Sequence, residues 1–257
     1  MPIVTLTTDF GNNDYYLGAL KGALLCAKPA LQIVDITHNI KSFDIVQAAY
    51  FLKSAYPSFP AGTMHILSVN NFYSSTPVFV ALKYQEQYFI APDNGILSLM
   101  FDEIPAEIFE LEYFDKSTFP LEEIFGKAVA HITSDRPFSE IGILLDSITE
   151  RLTYKAVRST NQLKGTIIHI DHYENVITNI TEELFKDVGK KRPFQLFYKR
   201  NNPLTELSTF YGDVPIGETL CLFNSTGHLE IALNMGKAAS LLNLKIEDTI
   251  QIEFLPV

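Results

Sequence analysis

The sequence predicts an α/β domain with a largely parallel sheet, followed by a smaller, mostly β second domain. Two observations carry this. Over roughly the first 150 residues, short runs rich in β-branched and aromatic residues alternate with stretches of helical spacing, the signature of strand–helix–strand units. After that point strand-like runs follow one another with little helix between them. The length, 257 residues, is ample for two cores.

The elements follow in order. "IVTLT" (3–7) reads as a buried strand, and "YYLGALKGALLCA" (15–27) as a helix with Leu17, Leu20, Ala23 and Leu24 on one face. "LQIVDI" (31–36) is a second strand. "DIVQAAYFLKSAYPSF" (44–59) is a second helix, stopped by Pro57. "TMHILSV" (63–69), "VFVALKY" (78–84) and "QYFIAP" (87–92) are three further strands, and "LEEIFGKAVAHIT" (121–133) is a helix. The second domain is expected to use "LKGTIIHIDH" (163–172), "NVITNI" (175–180), "FQLFYK" (194–199), "ETLCLFN" (218–224) and "HLEIALN" (228–234) as strands. The boundary falls between about 150 and 160, giving segments 1–155 and 160–257.

Composition narrows the function classes. The chain is 47% hydrophobic and 19% charged, with net charge −10 and no basic run. Nucleic-acid and anionic-membrane partners are therefore disfavoured, because both need clustered Lys or Arg. No apolar stretch approaches the roughly 20 residues that span a bilayer, and the opening "MPIVTLTTDF" lacks the pattern of a signal peptide. Cys26 and Cys221 lie far apart in apolar surroundings and are expected to be buried free thiols of a reducing compartment. The expected location is the cytoplasm.

Several motifs lead nowhere. "DFG" (9–11) matches the kinase metal-binding triplet, but the partner motifs are missing. His169 and His172 are close, yet strand alternation sends them to different faces, and no metal site is expected. Two aspartates in "TTDFGNNDYY" (7–16) are more informative. Asp9 ends the first predicted strand, where open α/β sheets bind ligands, and a carboxylate there can accept from vicinal hydroxyls. The alternative is that Asp9 caps a turn and Asp14 caps the following helix. "DITH" (35–38), "APDNG" (91–95), "DHYENVITN" (171–179) and "FNSTGHLEIALNMGKAA" (223–239) place further polar groups at predicted strand ends. Each alone is an ordinary turn; their joint order is the signal.

Together, "TDFGNNDYYLGALKG", "DITH", "APDNG", "NVITNI" and "NSTGHLEIALNMGKAA" resemble the S-adenosylmethionine hydroxide adenosyltransferase family, which includes relatives that chlorinate or fluorinate S-adenosylmethionine. The resemblance runs over essentially the whole chain. It implies an α/β N-terminal domain, a β-barrel-like C-terminal domain, and a homotrimer whose pockets join one subunit's first domain to its neighbour's second. It implies no metal and no cofactor. Carried over by position, Asp9 grips the ribose hydroxyls and Asp14 lies at the methionine end. Phe43 is a pocket-wall aromatic. Asp171 meets the methionine amino group, and Asn175 reads the adenine edge. Asn224 and Ser225 lie near the methionine carboxylate, Asn234 lies near adenine, and Tyr211, or Phe210 beside it, stacks on adenine. For Phe43 and Tyr211, core packing stays open as the alternative.

One region departs from the family. Hydrolytic members carry "VDPGVG" and an arginine where this chain has "VNNFYSSTP" (69–77). Asn70 stands at the family aspartate, Pro77 or a neighbour at the arginine, and Pro120 at the family histidine. The halide-binding hydroxyl of the halogenating members falls on Leu121. Asn70 cannot act as a base, but its amide can hold a water, with Tyr73, Ser74 and Ser75 beside it. Three readings follow: a hydrolase making adenosine and methionine with a rebuilt water site, a trimeric binder or sensor of S-adenosylmethionine or adenosine with little turnover, and an enzyme of the same fold acting on another nucleoside or sulfonium.

Overall fold

The computed structural model describes residues 1–101, 103–114, 117–152, 155–198 and 203–256. The chain divides into two compact units, Met1–Leu152 and Thr153–Val257.

The first unit holds β1 (Ile3–Thr8), α1 (Tyr16–Ala27), β2 (Gln32–Thr37), α2 (Ile45–Ala55), β3 (Met64–Ser68), β4 (Phe79–Tyr84), β5 (Gln87–Pro92), α3 (Ile96–Met100), β6 (Ile108–Glu110), α4 (Leu121–Ile132) and β7 (Ile143–Leu144). Its sheet has the order β2-β1-β3-β5-β4-β6-β7. The β2, β1, β3 and β5 strands are parallel, and β4, β6 and β7 extend the sheet antiparallel. Strand alternation decides the layers. Val4, Leu6, Met64, Ile66, Phe79, Ala81 and Ile90 pack with α1 and α4 on one face. Leu67, Val69, Val80, Leu82, Phe89 and Ala91 pack with α2 and α3 on the other. Both faces are covered, which is why the central strands read as nearly continuous apolar runs.

The helix ends follow from local chemistry. Asp44 caps α2, accepting from the Gln47 N–H at 2.9 Å. After α2 the chain tightens into a 3₁₀ turn, Tyr56–Ser58, that accommodates Pro57. Two expectations fail around α1. Asp14 does not cap it: the helix starts at Tyr16, Tyr15 holds the cap position without a side-chain bond, and Asp14 is exposed in the preceding loop. Cys26 is exposed rather than buried. Leu20 and Leu24 define the buried stripe, and Cys26 lies about 200° around the helix from Leu24.

The second unit holds β8 (Val157–Arg158), β9 (Gln162–Ile170), β10 (Val176–Thr181), α5 (Glu182–Gly189), β11 (Phe194–Phe197), β12 (Thr219–Phe223), β13 (His228–Leu233), α6 (Ala238–Leu242) and β14 (Thr249–Phe254). Its sheet runs β11-β14-β9-β10-β13-β12, antiparallel throughout, with β8 beside β9, and curls into a half-barrel. Leu163, Ile167, Val176, Ile180, Leu229, Ile231, Ile250 and Ile252 fill its concave core with α6. Leu220, Leu222 and Ala232 form a small cluster with Val214 on the opposite face of β12 and β13. Lys199, the last residue of the strand expected over 194–199, lies outside the described residues. Cys221 is buried, and burial pushes its thiol up to about 12.

Candidate functional site

Three loops meet at the C-terminal ends of β2, β1 and β3, the crevice where parallel sheets take ligands. Asp9 sits at their centre. Its Oδ2 accepts from the Phe43 N–H at 3.0 Å and from the Asn70 N–H at 3.3 Å, one from each neighbouring loop. Its Oδ1 accepts no hydrogen bond among the described residues. The first loop is tied down further: the Gly11 N–H reaches the His38 carbonyl at 2.8 Å, and the Asn12 amide reaches Asn39 Oδ1 at 3.1 Å.

The backbone around Asp9 is unusual. Gly11, Phe43 and Asn70 all have positive φ, at 70°, 69° and 52°. For Phe43 and Asn70 this is a conformation that costs on the order of 1–3 kcal/mol each and gathers at functional loops. Asn94 helps impose it at Asn70. Its side-chain amide donates to the Val69 carbonyl at 2.9 Å and the Asn70 carbonyl at 3.1 Å, while its Oδ1 accepts from the Ile96 N–H.

A chain of polar residues, with Thr8 and His38 buried, supports the same edge. Thr8 Oγ1 lies 2.9 Å from His38 Nδ1, His38 Nε2 lies 3.1 Å from Asp35 Oδ1, and Asp35 Oδ2 takes the Lys21 ammonium at 2.7 Å. The bonds from Lys21 and His38 outweigh Asp35's partial burial and hold its carboxyl below the usual range. Aromatic rings flank Asp9: Phe10 packs on Tyr16 at 6.3 Å and on Phe119 at 5.8 Å, bringing the start of α4 beside the Asp9 loop.

The other residues expected in this unit behave differently. Phe43 is 71% exposed, so it is not a core side chain. The Asn70 side-chain amide makes no hydrogen bond among the described residues. The Tyr73 hydroxyl accepts from the Val78 N–H at 3.3 Å and closes its own loop. Asp14 is exposed and makes no hydrogen bond among the described residues. Asp93 is held by the Thr149 N–H at 2.8 Å and hydroxyl at 3.1 Å, and burial raises its carboxyl despite both bonds.

The second unit gathers a polar network of its own. The turn between β9 and β10 is closed by Asp171 and Asn175. Asp171 Oδ1 accepts the Asn175 N–H at 2.7 Å, and its Oδ2 accepts the Asn175 amide at 3.0 Å. Asn224 opens the turn between β12 and β13. Its Oδ1 accepts from the Thr226 N–H, the Thr226 hydroxyl and the His228 N–H, at 2.8 to 3.1 Å. Tyr211, 38% exposed and also not a core side chain, donates to Glu230 Oε1 at 2.8 Å. Four expected residues, Asp171, Asn175, Tyr211 and Asn224, are thus each held by side-chain hydrogen bonds in this unit, Tyr211 on a buried carboxylate. Ser225 is exposed on the Asn224 turn. Asn234 stands apart, its amide donating to the Val214 carbonyl at 2.7 Å to tie down the 214–218 loop.

Sequence reasoning missed Glu230 and Asn94. The signal for Glu230 was an acid flanked by Leu229 and Ile231 in an otherwise apolar strand. The signal for Asn94 was its place in "APDNG", where a turn explains it equally well. Two concavities of about 310 and 480 Å³, beside α4 and α5, are lined by none of the residues named as ligand contacts. Among the described residues no group of three or more His, Cys, Asp or Glu is placed to hold a metal ion, and no helix is long and apolar enough to cross a membrane.

A parallel-sheet edge with a pinned carboxylate, and a separate antiparallel half-barrel with a buried polar network, define a two-domain α/β and β architecture. The chain belongs to the SAM (S-adenosylmethionine) hydroxide adenosyltransferase family: the family's N-terminal domain matches residues 4–142 and its C-terminal domain residues 165–251. It is 29% identical to an (R)-S-adenosyl-L-methionine hydrolase of Methanocaldococcus jannaschii, over 98% of this chain and 96% of that one. It is 26% identical to a fluorinase of an Actinoplanes species, over 98% and 97%. A crystal structure of an uncharacterized conserved protein from Thermotoga maritima superimposes with a TM-score of 0.85 at 30% identity, covering 98% of this chain and 99% of that one.

Proposed function

We propose that this protein binds S-adenosylmethionine and hydrolyses it to adenosine and methionine. The observation that carries the reading is the state of Asp9. Two backbone N–H groups fix Oδ2, so Oδ1 is aimed and available for a ribose hydroxyl at the ligand end of a parallel sheet. Relatives named as hydrolases of this compound support the substrate class. In the reaction, water attacks C5′ of the ribose and the C5′–sulfur bond breaks with its electron pair going to sulfur. The sulfonium becomes the neutral thioether of methionine, and the attacking water loses a proton to give adenosine. The leaving group is already activated, so the protein's task is to align water, C5′ and sulfur and to accept one proton.

The free Asn70 amide is the group proposed to hold the water. It is not a base, and Asp93, engaged with Thr149, is not poised to replace one. Loss of a general base costs about 10²–10⁴-fold, whereas alignment contributes up to about 7–11 kcal/mol. Slow hydrolysis is the expected result. The same observation favours a second reading, a binder or sensor of S-adenosylmethionine or adenosine. In either case a homotrimer is the proposed assembly, with the Asp171, Asn175, Tyr211 and Asn224 set supplied to each ligand by a neighbouring subunit.

The test is to incubate the protein with S-adenosylmethionine and follow both products by mass spectrometry, beside Asp9→Ala. Equal amounts of adenosine and methionine, lost in the variant, support the hydrolase. Saturable heat of binding without product selects the binder. Undiminished turnover in Asp9→Ala would sink the ribose assignment.

A further inference from the structure

The second unit contains a buried carboxylate to which the reading above gives no role. Glu230 is 3% exposed at the middle of β13, opposite Ile177 of β10 and Leu222 of β12. Alternation along β13 sends Leu229, Ile231 and Leu233 into the main core and puts Glu230 on the other face, with Ala232. A carboxylate there loses its hydration, and the strand would be held at least as well by an apolar side chain. What distinguishes Glu230 is what it holds. Tyr211, from the loop after β11, donates its hydroxyl to Oε1 at 2.8 Å. Glu230 thus ties the loop after β11 to the middle of β13 through a side-chain bond.

We infer that Glu230 is a positioning residue for ligand binding. It sets the Tyr211 ring in its bound arrangement before a nucleoside arrives. The inference rests on the reading that Tyr211 contacts the ligand. Pre-setting that loop removes an ordering cost from binding, so its loss appears in affinity more than in stability.

Titration calorimetry on the full chain, with S-adenosylmethionine and separately with adenosine, tests this. Tyr211→Phe keeps the ring and removes only the hydroxyl; Glu230→Leu removes the acceptor. Each is expected to weaken binding of both compounds about tenfold or more. The double variant should be little weaker than Glu230→Leu alone, since the two act as one unit. Glu230→Gln keeps an acceptor for the hydroxyl and should recover most of the affinity. The thermal midpoint of Tyr211→Phe should stay near wild type; if Glu230→Leu does not fold, Tyr211→Phe and Glu230→Gln carry the test. Wild-type protein that binds both compounds, with Tyr211→Phe binding them equally well, overturns the Glu230 assignment alone. Wild-type protein that binds neither compound overturns the ligand reading beneath it.

Discussion

His65 on β3 has no part in the site, yet it makes the stability of the first unit sensitive to pH. It is fully buried, with Nδ1 2.7 Å from Thr5 Oγ1 and Nε2 2.6 Å from Gln87 Oε1. The Gln87 oxygen can only accept, so Nε2 carries the proton and Nδ1 accepts from Thr5: the neutral ring is fully satisfied. Burial pushes its pKa down to about 4. The unfolded chain, with a His near 6.5, takes up the proton first as pH falls. Stability is therefore complete above about pH 6.5 and declines toward pH 4, by about 3 kcal/mol. Urea midpoints measured from pH 7.5 down to 4.5 should fall steeply in the wild type and less in His65→Gln; parallel curves would contradict this. Single residues were unevenly legible from sequence. Asp9 announced itself by ending an apolar run. Glu230 did not, because a lone acid in a strand reads as a solvent-facing position until the loop that covers it is known. The exposure of Phe43 was equally hidden, since its positive φ depends on contacts with a residue 34 positions away.

At the scale of elements, the loop before α2 joins the helix cap to the Phe43 turn. Asp44 caps the helix through the Gln47 N–H, Gln47 Oε1 accepts from the Lys41 N–H at 2.8 Å, and the Asp44 N–H bonds the Lys41 carbonyl at 2.9 Å. Phe43 sits inside this knot. Asp44→Ala is expected to cost about 1 kcal/mol of stability and to weaken nucleoside binding through the loosened Phe43 loop, with Asp44→Asn restoring both. Denaturant titration and calorimetry check the two effects, and a variant with an unchanged midpoint would refute the cap's contribution. The longer elements were readable because their apolar spacing repeats: β1 to β5, α1, α2 and α4 all lie where the pattern puts them. Most of the misses are short; the exception is β14, six residues whose alternating "TIQIEF" (249–254) carries a legible two-residue period absent from the expected strands. α3 and α6 have five residues each, and β6, β7 and β8 two or three, too few for a period to emerge. In α5 the only buried residues are Val188 and Gly189, near its C-terminal end, which leaves little apolar periodicity to read.

At the scale of the molecule, each unit has its own core and its own polar network. The parallel sheet was predictable from alternating strands and helices, the half-barrel from strands without helices, and the family from five segments spread along the chain. The assembly is a different matter, since association depends on surfaces no periodicity encodes. The proposed homotrimer predicts sedimentation at three times the 29.0 kDa chain mass. A monomer at micromolar concentration would remove the shared-ligand arrangement. One feature of the first unit bears on how such a protein can change over evolutionary time. A single oxygen of Asp9 accepts from two loops, at residues 34 and 61 positions further along the chain. Lengthening any one of the three displaces an anchor the other two depend on. Length variation is thereby steered toward the far border of the sheet, and novelty at this border must come by exchanging side chains on a fixed frame.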